Sequence, residues 1–422
     1  MIHHLGKPVA LSCVLLGLAT AALAEPVTYA GKIGQTDIVV EFTSDPAAPD
    51  GPLAGRYFYR SKGVDIPLQA RPLKGRRFEL AEEEACGAEK CGEGQAAPVA
   101  AIWRLASADK GKTLEGTWNG KKTRPLKLTR IAEREQTEPP ASSPLDLYEF
   151  SDTTFSGNDA PITMEASPYD YLRLDFATTT LAPKAEDPKT GEKIGWPDAT
   201  YRYVVDPRTR FATPRIVELS GGASIEAANA LLENRHRHAS LGALNCAALR
   251  YAGFHESGPI DSMDDGSLGG FEDSTSQVSS LTSQLMSWRE SGSLFCGGAH
   301  PTNYSEAYVM DVRRGVLLGL QDMFSDTVDG KPGPSLVAFV AKTRKKPTDQ
   351  TQIDFEAECG TDDLITEYLA ASLWREGDKQ FLVFGLQGLP HVIQACGDDV
   401  LTLPVSEVHD LFKPEFAKLL GL

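Results

Sequence analysis

The sequence predicts an α+β protein, with a small all-β N-terminal domain followed by a larger α+β C-terminal domain. Three observations carry this. Up to Ala132 the chain is a series of short β-type runs punctuated by Gly, Pro, Asn and Asp. Beyond it, strands and helices intersperse without a regular βαβ repeat, which fits α+β better than a doubly wound sheet. Between them lies EREQTEPPASSP, from Glu133 to Pro144, with three prolines and no apolar period, the composition of a linker. The expected organisation is a signal peptide over 1–24, a β-rich domain over 25–132, a linker over 133–147 and the α+β domain over 148–422.

The leader comes first. Lys7 precedes an apolar run over 9–18, and Ala22-Leu23-Ala24 supplies a small-residue cleavage site before Glu25. The run is too short for a stop-transfer helix. Cys13 sits inside it with apolar residues still to follow, whereas a lipid-attachment cysteine would close it. The expected product is a soluble periplasmic or secreted protein with no transmembrane segment. Lys7 is the one fixed charge lost with the leader, which takes the net charge from −16 to −17. That acidity disfavours nucleic acid, whose phosphates it repels, and is compatible with a cationic partner.

In the β-rich domain, strands are expected over 27–31, 38–42, 53–59, 77–80, 99–105, 114–118 and 126–129. Tyr57 and Tyr59 fall on one strand face and are assigned to the core. Of the seven cysteines, six remain after cleavage: Cys86, Cys91, Cys246, Cys296, Cys359 and Cys396. An even number in an exported chain points to disulfides. Cys86 with Cys91, Cys246 with Cys296 and Cys359 with Cys396 are the favoured pairs among fifteen. The first would pin a hairpin end that carries Glu82, Glu83 and Glu84. The C-x4-C spacing, with no second close pair, is a poor zinc signature.

In the second domain, 171–176 and 200–205 read as strands, and a helix starts near Ser224. Residues 277–288 read as a strand or a bent pair of strands. Strands are also expected over 304–312, 381–385 and 400–403. Helices are expected over 335–341, 362–374 and 406–412.

The chemical signatures are sparse. There is no G-x-S-x-G elbow, no H-E-x-x-H, no P-loop and no G-x-G-x-x-G, and no cofactor is expected. His236-Arg237-His238 reads as a solvated basic cluster. Residues 261–272 form a weak candidate calcium loop. Asp261, Asp265 and Glu272 stand at positions one, five and twelve, but Met263 occupies position three, where an oxygen ligand belongs. The stretch CGGAHP, from Cys296 to Pro301, offers Gly297 and Gly298 for unusual backbone angles, and Pro301 biases His300 away from the helical region. It reads as a tight turn leading into a strand.

CGGAHP, the strand ending at Asp311, the run RRGVLLGLQDMF from Arg313 to Phe324 and LPVSE from Leu403 to Glu407 together carry a resemblance. They look like an extracytoplasmic domain of unknown function found in lysozyme-sensing anti-sigma factors of the RsiV type and in the accessory module of some peptidoglycan deacetylases. The match covers roughly Asn158 to Leu420. GRYFY from Gly55 and GTW from Gly116 resemble small β modules found ahead of such domains. The resemblance implies an α+β fold and a binding role, with no catalytic residues to carry over. The expected ligand is a lysozyme-type cationic hydrolase or a peptidoglycan fragment, with Gly297, Gly298, His300, Pro301 and Asp311 as the expected binding residues. The chain departs from the anti-sigma case in having no transmembrane helix and no cytoplasmic segment. The competing expectation is a cell-wall hydrolase using His300 with an acid such as Asp311.

Overall fold

The structure is a computed structural model that describes residues 25–47, 54–71, 77–92, 95–107, 109–134, 140–155, 160–176, 191–256, 259, 271–297 and 301–422. The expected leader lies outside these residues. The first eight strands are β1 (Val27–Ile33), β2 (Thr36–Phe42), β3 (Ala54–Tyr59), β4 (Ile66–Arg71), β5 (Arg77–Glu83), β6 (Val99–Ser107), β7 (Thr113–Asn119) and β8 (Thr123–Glu133). They pair antiparallel in chain order, and β8 returns to β1, closing a barrel. A one-turn helix, α1 (Ala88–Cys91), separates β5 from β6.

Period-two alternation turns Tyr29, Ile38, Val40, Phe42, Tyr57, Leu68, Leu80, Trp103 and Leu128 into one interior cluster, so side chains fill the barrel. Tyr57 meets the Trp103 ring edge-on at 4.8 Å, as its core assignment requires. Glu82 is an acid turned inward. Its carboxylate accepts the indole N–H of Trp103 at 2.8 Å and of Trp118 at 2.6 Å. The neighbouring Glu83 points outward and accepts the Gly253 N–H at 2.9 Å. A Cβ on Gly253 would stand 2.7 Å from that carboxylate and 2.8 Å from Pro67, so the approach requires glycine.

Burial pushes the Glu83 carboxyl up to about 7. A carboxyl raised in the folded state favours folding below its unfolded value near 4.5, and that contribution is lost as pH climbs to about 7. Glu83→Gln should therefore flatten the melting-temperature profile between these limits. The gap between variant and native protein should widen toward pH 8, on the order of 2 °C. Parallel profiles from pH 4.5 to 8 would refute this role.

The outer face of β2 and β3 is also buried. α2 (Pro144–Phe155) and α3 (Pro168–Arg173) pack against it. Phe58 meets the Tyr169 ring at 5.1 Å. Beside it lies a charge network: Arg56 reaches Glu41 at 2.9 Å, Asp65 at 3.2 Å and Asp170 at 3.3 Å. Arg134 holds Glu41 at 2.7 Å, Arg173 holds Asp65 at 3.2 Å, and the Tyr169 hydroxyl donates to Asp65 at 2.7 Å. Three guanidiniums thus face three carboxylates, every one of them at most 2% exposed. Burial pushes Asp65 upward. For Asp170 burial acts upward too, but Arg56 and Arg173 outweigh it and leave the carboxyl below its ordinary range.

Three strands follow, β9 (Ile194–Trp196), β10 (Ala199–Val205) and β11 (Ala212–Leu219), in the sheet order β11-β10-β9. The long helix α4 (Glu226–Ala248) lies along β11. Its Asn229 amide accepts the Ile216 N–H and donates to the Ile216 carbonyl, both at 2.8 Å. A second sheet takes β12 (Phe271–Leu281), β13 (Leu285–Leu294), β14 (Thr302–Asp311) and the short β15 (Val316–Leu317) in order. Tyr201, Ile216, Leu232, Met286 and Trp288 pack between these layers.

The chain ends in α5 (Leu320–Met323), the small hairpin β16 (Thr327–Val328) and β17 (Lys331–Pro332), then helices α6 (Pro334–Thr343), α7 (Gln350–Cys359) and α8 (Thr361–Tyr368). The three-stranded sheet β18 (Leu369–Glu376), β19 (Lys379–Leu386) and β20 (Asp399–Pro404) and the last helix α9 (Pro414–Leu420) complete it. Their shared core includes Phe324, Leu336, Ile365, Leu373, Phe384 and Phe416. Among the described residues, no helix is long and apolar enough to cross a membrane.

Strands and helices are mixed, as expected, but three elements differ. Residues 171–176 were expected as a strand, yet Pro168 opens α3 at its first position and Tyr169, Asp170 and Arg173 bury one helical side. The expected helix over 362–374 changes period at Leu369. From there Leu369, Ala371 and Leu373 alternate inward and pair with β19, so tertiary pairing overrides helix propensity. The expected helix over 406–412 is two 3-10 turns. The continuous helix starts only at Pro414, which can begin a helix but not continue one.

Candidate binding cleft

The three disulfides join Cys86 to Cys91, Cys246 to Cys296 and Cys359 to Cys396, the expected pairs. The second decides where CGGAHP lies. β13 and β14 form a hairpin with Leu294 opposite Thr302, and residues 295–301 are its loop. Cys296 ties that loop to the last turn of α4. Gly297 adopts φ 93°, the positive angle that favours glycine. Pro301 is exposed and leads directly into β14. Gly298 and His300 lie outside the described residues.

Asp311 is at the other end of β14. Ten residues of extended strand place it about 30 Å from Pro301. Its buried carboxylate accepts the N–H groups of Arg313 at 3.0 Å and Arg314 at 3.1 Å, capping the turn into β15. β14 therefore holds Asp311 at the opposite end of the strand from Pro301. Of the candidate calcium loop, Asp261 and Asp265 lie outside the described residues. Glu272 falls within β12 rather than at the head of a helix.

The expected basic cluster is also corrected. His236 is 0% exposed. Its Nε2 lies 3.0 Å from the Phe211 carbonyl, which fixes the proton on Nε2. Burial, with Arg215 adding to it, pushes its pKa down to about 3. The ring nitrogens of His238 face the carbonyls of Phe155 and Ala160 at 2.9 and 2.8 Å.

What the hairpin does form is a cleft of about 290 Å³ beside β14. Arg289, Asn303 and Ser305 share one sheet face and supply one wall. Gln387 just past β19, Gln394 in the turn His391–Cys396 that the Cys359 bridge holds, and Asp398 and Asp399 at the start of β20 supply the other. Gln387 accepts the Ala307 N–H at 3.0 Å, joining the walls. Arg289 donates to Asp399 at 2.5 Å. Asp398, exposed at the rim, makes no ion pair with an arginine or lysine among the described residues. On the reverse face, Glu290 and Glu306 stand directly opposite each other. Arg235 holds Glu290 at 2.9 Å, and the Tyr308 hydroxyl donates to Glu306. The hairpin thus displays hydrogen-bonding groups on one face and paired acids on the other.

Sequence reasoning found the loop and missed the opposite wall. Asp398 and Asp399 directly follow Cys396-Gly397, so the bridging cysteine was the available signal. Nothing local links them to a hairpin nearly a hundred residues earlier.

No model of a known protein family matches the chain, and no curated protein matches it. Among solved structures the chain is similar to a member of the DUF3298 family from Bacteroides fragilis, determined by crystallography at 2.30 Å resolution. The identity is 14% and the TM-score 0.27, over 55% of this chain and 97% of that one. A likeness at that level is to an uncharacterised domain and assigns no function.

Proposed function

We propose that the chain is an exported binding protein of the cell envelope that grips a cationic cell-wall hydrolase at the β13–β14 hairpin. The observation that carries this reading is the disulfide-tied hairpin with acids on both sides, Asp398 and Asp399 at the cleft and Glu290 and Glu306 behind it. A net charge of −16 adds long-range attraction for a cation, which salt screens. Three disulfides fit an oxidising compartment.

The test is binding kinetics against a hen-type lysozyme at low and at physiological ionic strength. Binding should weaken with salt, and Asp398→Asn should slow association several-fold with little change in dissociation, the signature of a rim charge. Binding indifferent to both, or none, would sink this reading. A second reading is favoured by the uncharged hydrogen-bonding groups Asn303, Ser305, Gln387 and Gln394 in the cleft. On that reading the ligand is a peptidoglycan fragment, and soluble muropeptides alone would raise the melting temperature.

A further inference from the structure

The open face of the sheet β11-β10-β9 carries a feature that the hairpin reading does not use. Arg202 on β10 and Arg215 on β11 are directly opposite in register. Like charges in that position destabilise a sheet. Both project away from the core that takes Tyr201 and Ile216, into a cavity of about 510 Å³. The other wall is a stripe of α4 at four-residue spacing, Asn229, Glu233 and Arg237. Three arginines therefore converge in one cavity of a strongly acidic chain.

Their partners decide what the cavity lacks. Arg237 is engaged, donating to Glu233 at 2.6 Å and to the Ile162 carbonyl at 3.2 Å. Arg215 is 9% exposed. It donates to the Pro214 carbonyl at 3.0 Å and faces His236 Nδ1 at 3.3 Å. With the His236 proton fixed on Nε2, Nδ1 is a neutral acceptor and gives Arg215 no negative charge. Among the described residues, no carboxylate makes an ion pair with Arg215 or Arg202. Burial, with Arg237 and Arg202 adding to it, pulls the Arg215 guanidinium down to about 10 despite the opposing pull of Glu233. A buried cation with no carboxylate in direct contact is costly. The walls beside it are apolar, with Phe176, Val204 and Val217. Asp175 also lines the cavity.

We infer that this cavity binds a small amphipathic anion, its carboxylate or phosphate group held by Arg202 and Arg215 and its apolar body laid against Val204, Val217 and Phe176. The volume suits a ligand of drug-like size. The site shares no lining residue with the hairpin cleft, so this inference stands or falls independently of the proposed function.

The experiment is calorimetric titration of the full chain with hexyl phosphate, hexanoate, inorganic phosphate and hexyl glucoside. Hexyl phosphate or hexanoate should bind, and the stronger of the two identifies the head-group chemistry. Inorganic phosphate should bind more weakly and hexyl glucoside should not bind. Arg202 and Glu233 are both exposed, so neither variant should disturb folding. Arg202→Gln should weaken anion binding about tenfold. Glu233→Gln should strengthen it by releasing Arg237, a direction that a merely structural role does not produce. Equal binding of hexyl glucoside, no binding of either alkyl anion at millimolar concentration, or indifference to both substitutions would overturn the inference.

Discussion

Arg56→Met is expected to destabilise the protein by about 3–5 kcal/mol, the range for removing one partner of a buried ion pair. Arg56 is the hub of its network, with three carboxylates around one guanidinium. Its removal leaves Glu41, Asp65 and Asp170 with only Arg134 and Arg173, an uncompensated negative charge with no access to water. Arg56→Lys should also be costly, because one ammonium cannot reproduce the planar fork that reaches three acids in different directions. Chemical denaturation at pH 7 measures both. The double variant Arg56→Met/Asp170→Asn removes one charge of each sign and should recover part of the loss. A loss below about 1 kcal/mol for Arg56→Met would mean the network is hydrated and worth no more than a surface pair.

Removing the Cys246–Cys296 bridge, as Cys246→Ala/Cys296→Ala, should cost about 4 kcal/mol. The sequence separation is 50, and loop-closure entropy for a span of that size gives this value. The Cys86–Cys91 bridge, with a separation of 5, gives about 2 kcal/mol by the same relation. Denaturation of the two double variants under oxidising conditions should rank them in that order. The reverse ranking would show that strain or residual structure in the unfolded chain dominates over loop length. The larger bridge also ties the hairpin loop to α4, so under the proposed function its loss should weaken binding to a lysozyme-type hydrolase beyond what global stability explains.

The barrel was legible where polarity alternates. Ile38, Val40 and Phe42 face inward together, and a run of that kind has few alternatives. β4 escaped because Pro67 interrupts IPLQAR, although Ile66, Leu68 and Ala70 alternate toward the barrel core. The buried network was not legible at all. Arg56 and Asp170 are 114 residues apart, and a charged residue in isolation reads as exposed. His236 read as solvated because Arg237 lies between it and His238. The better signal was helical spacing, since Ala228, Leu232, His236, Ser240 and Leu244 recur every four residues and are all buried. Of the cavity arginines, Arg202 lay in the expected strand 200–205 while β11, with Arg215, was not expected, and their meeting with α4 depends on a packing that no local pattern encodes.

The Asn229 amide has a consequence for solubility. β11 is an edge of its sheet, and an edge strand offers unpaired N–H and C=O groups to any extended chain that meets it. At Ile216 both groups are already taken by one side chain. An incoming strand would have to displace Asn229, and the helix behind it, before it could add to the sheet. Asn229 thus works as a guard against edge-to-edge aggregation.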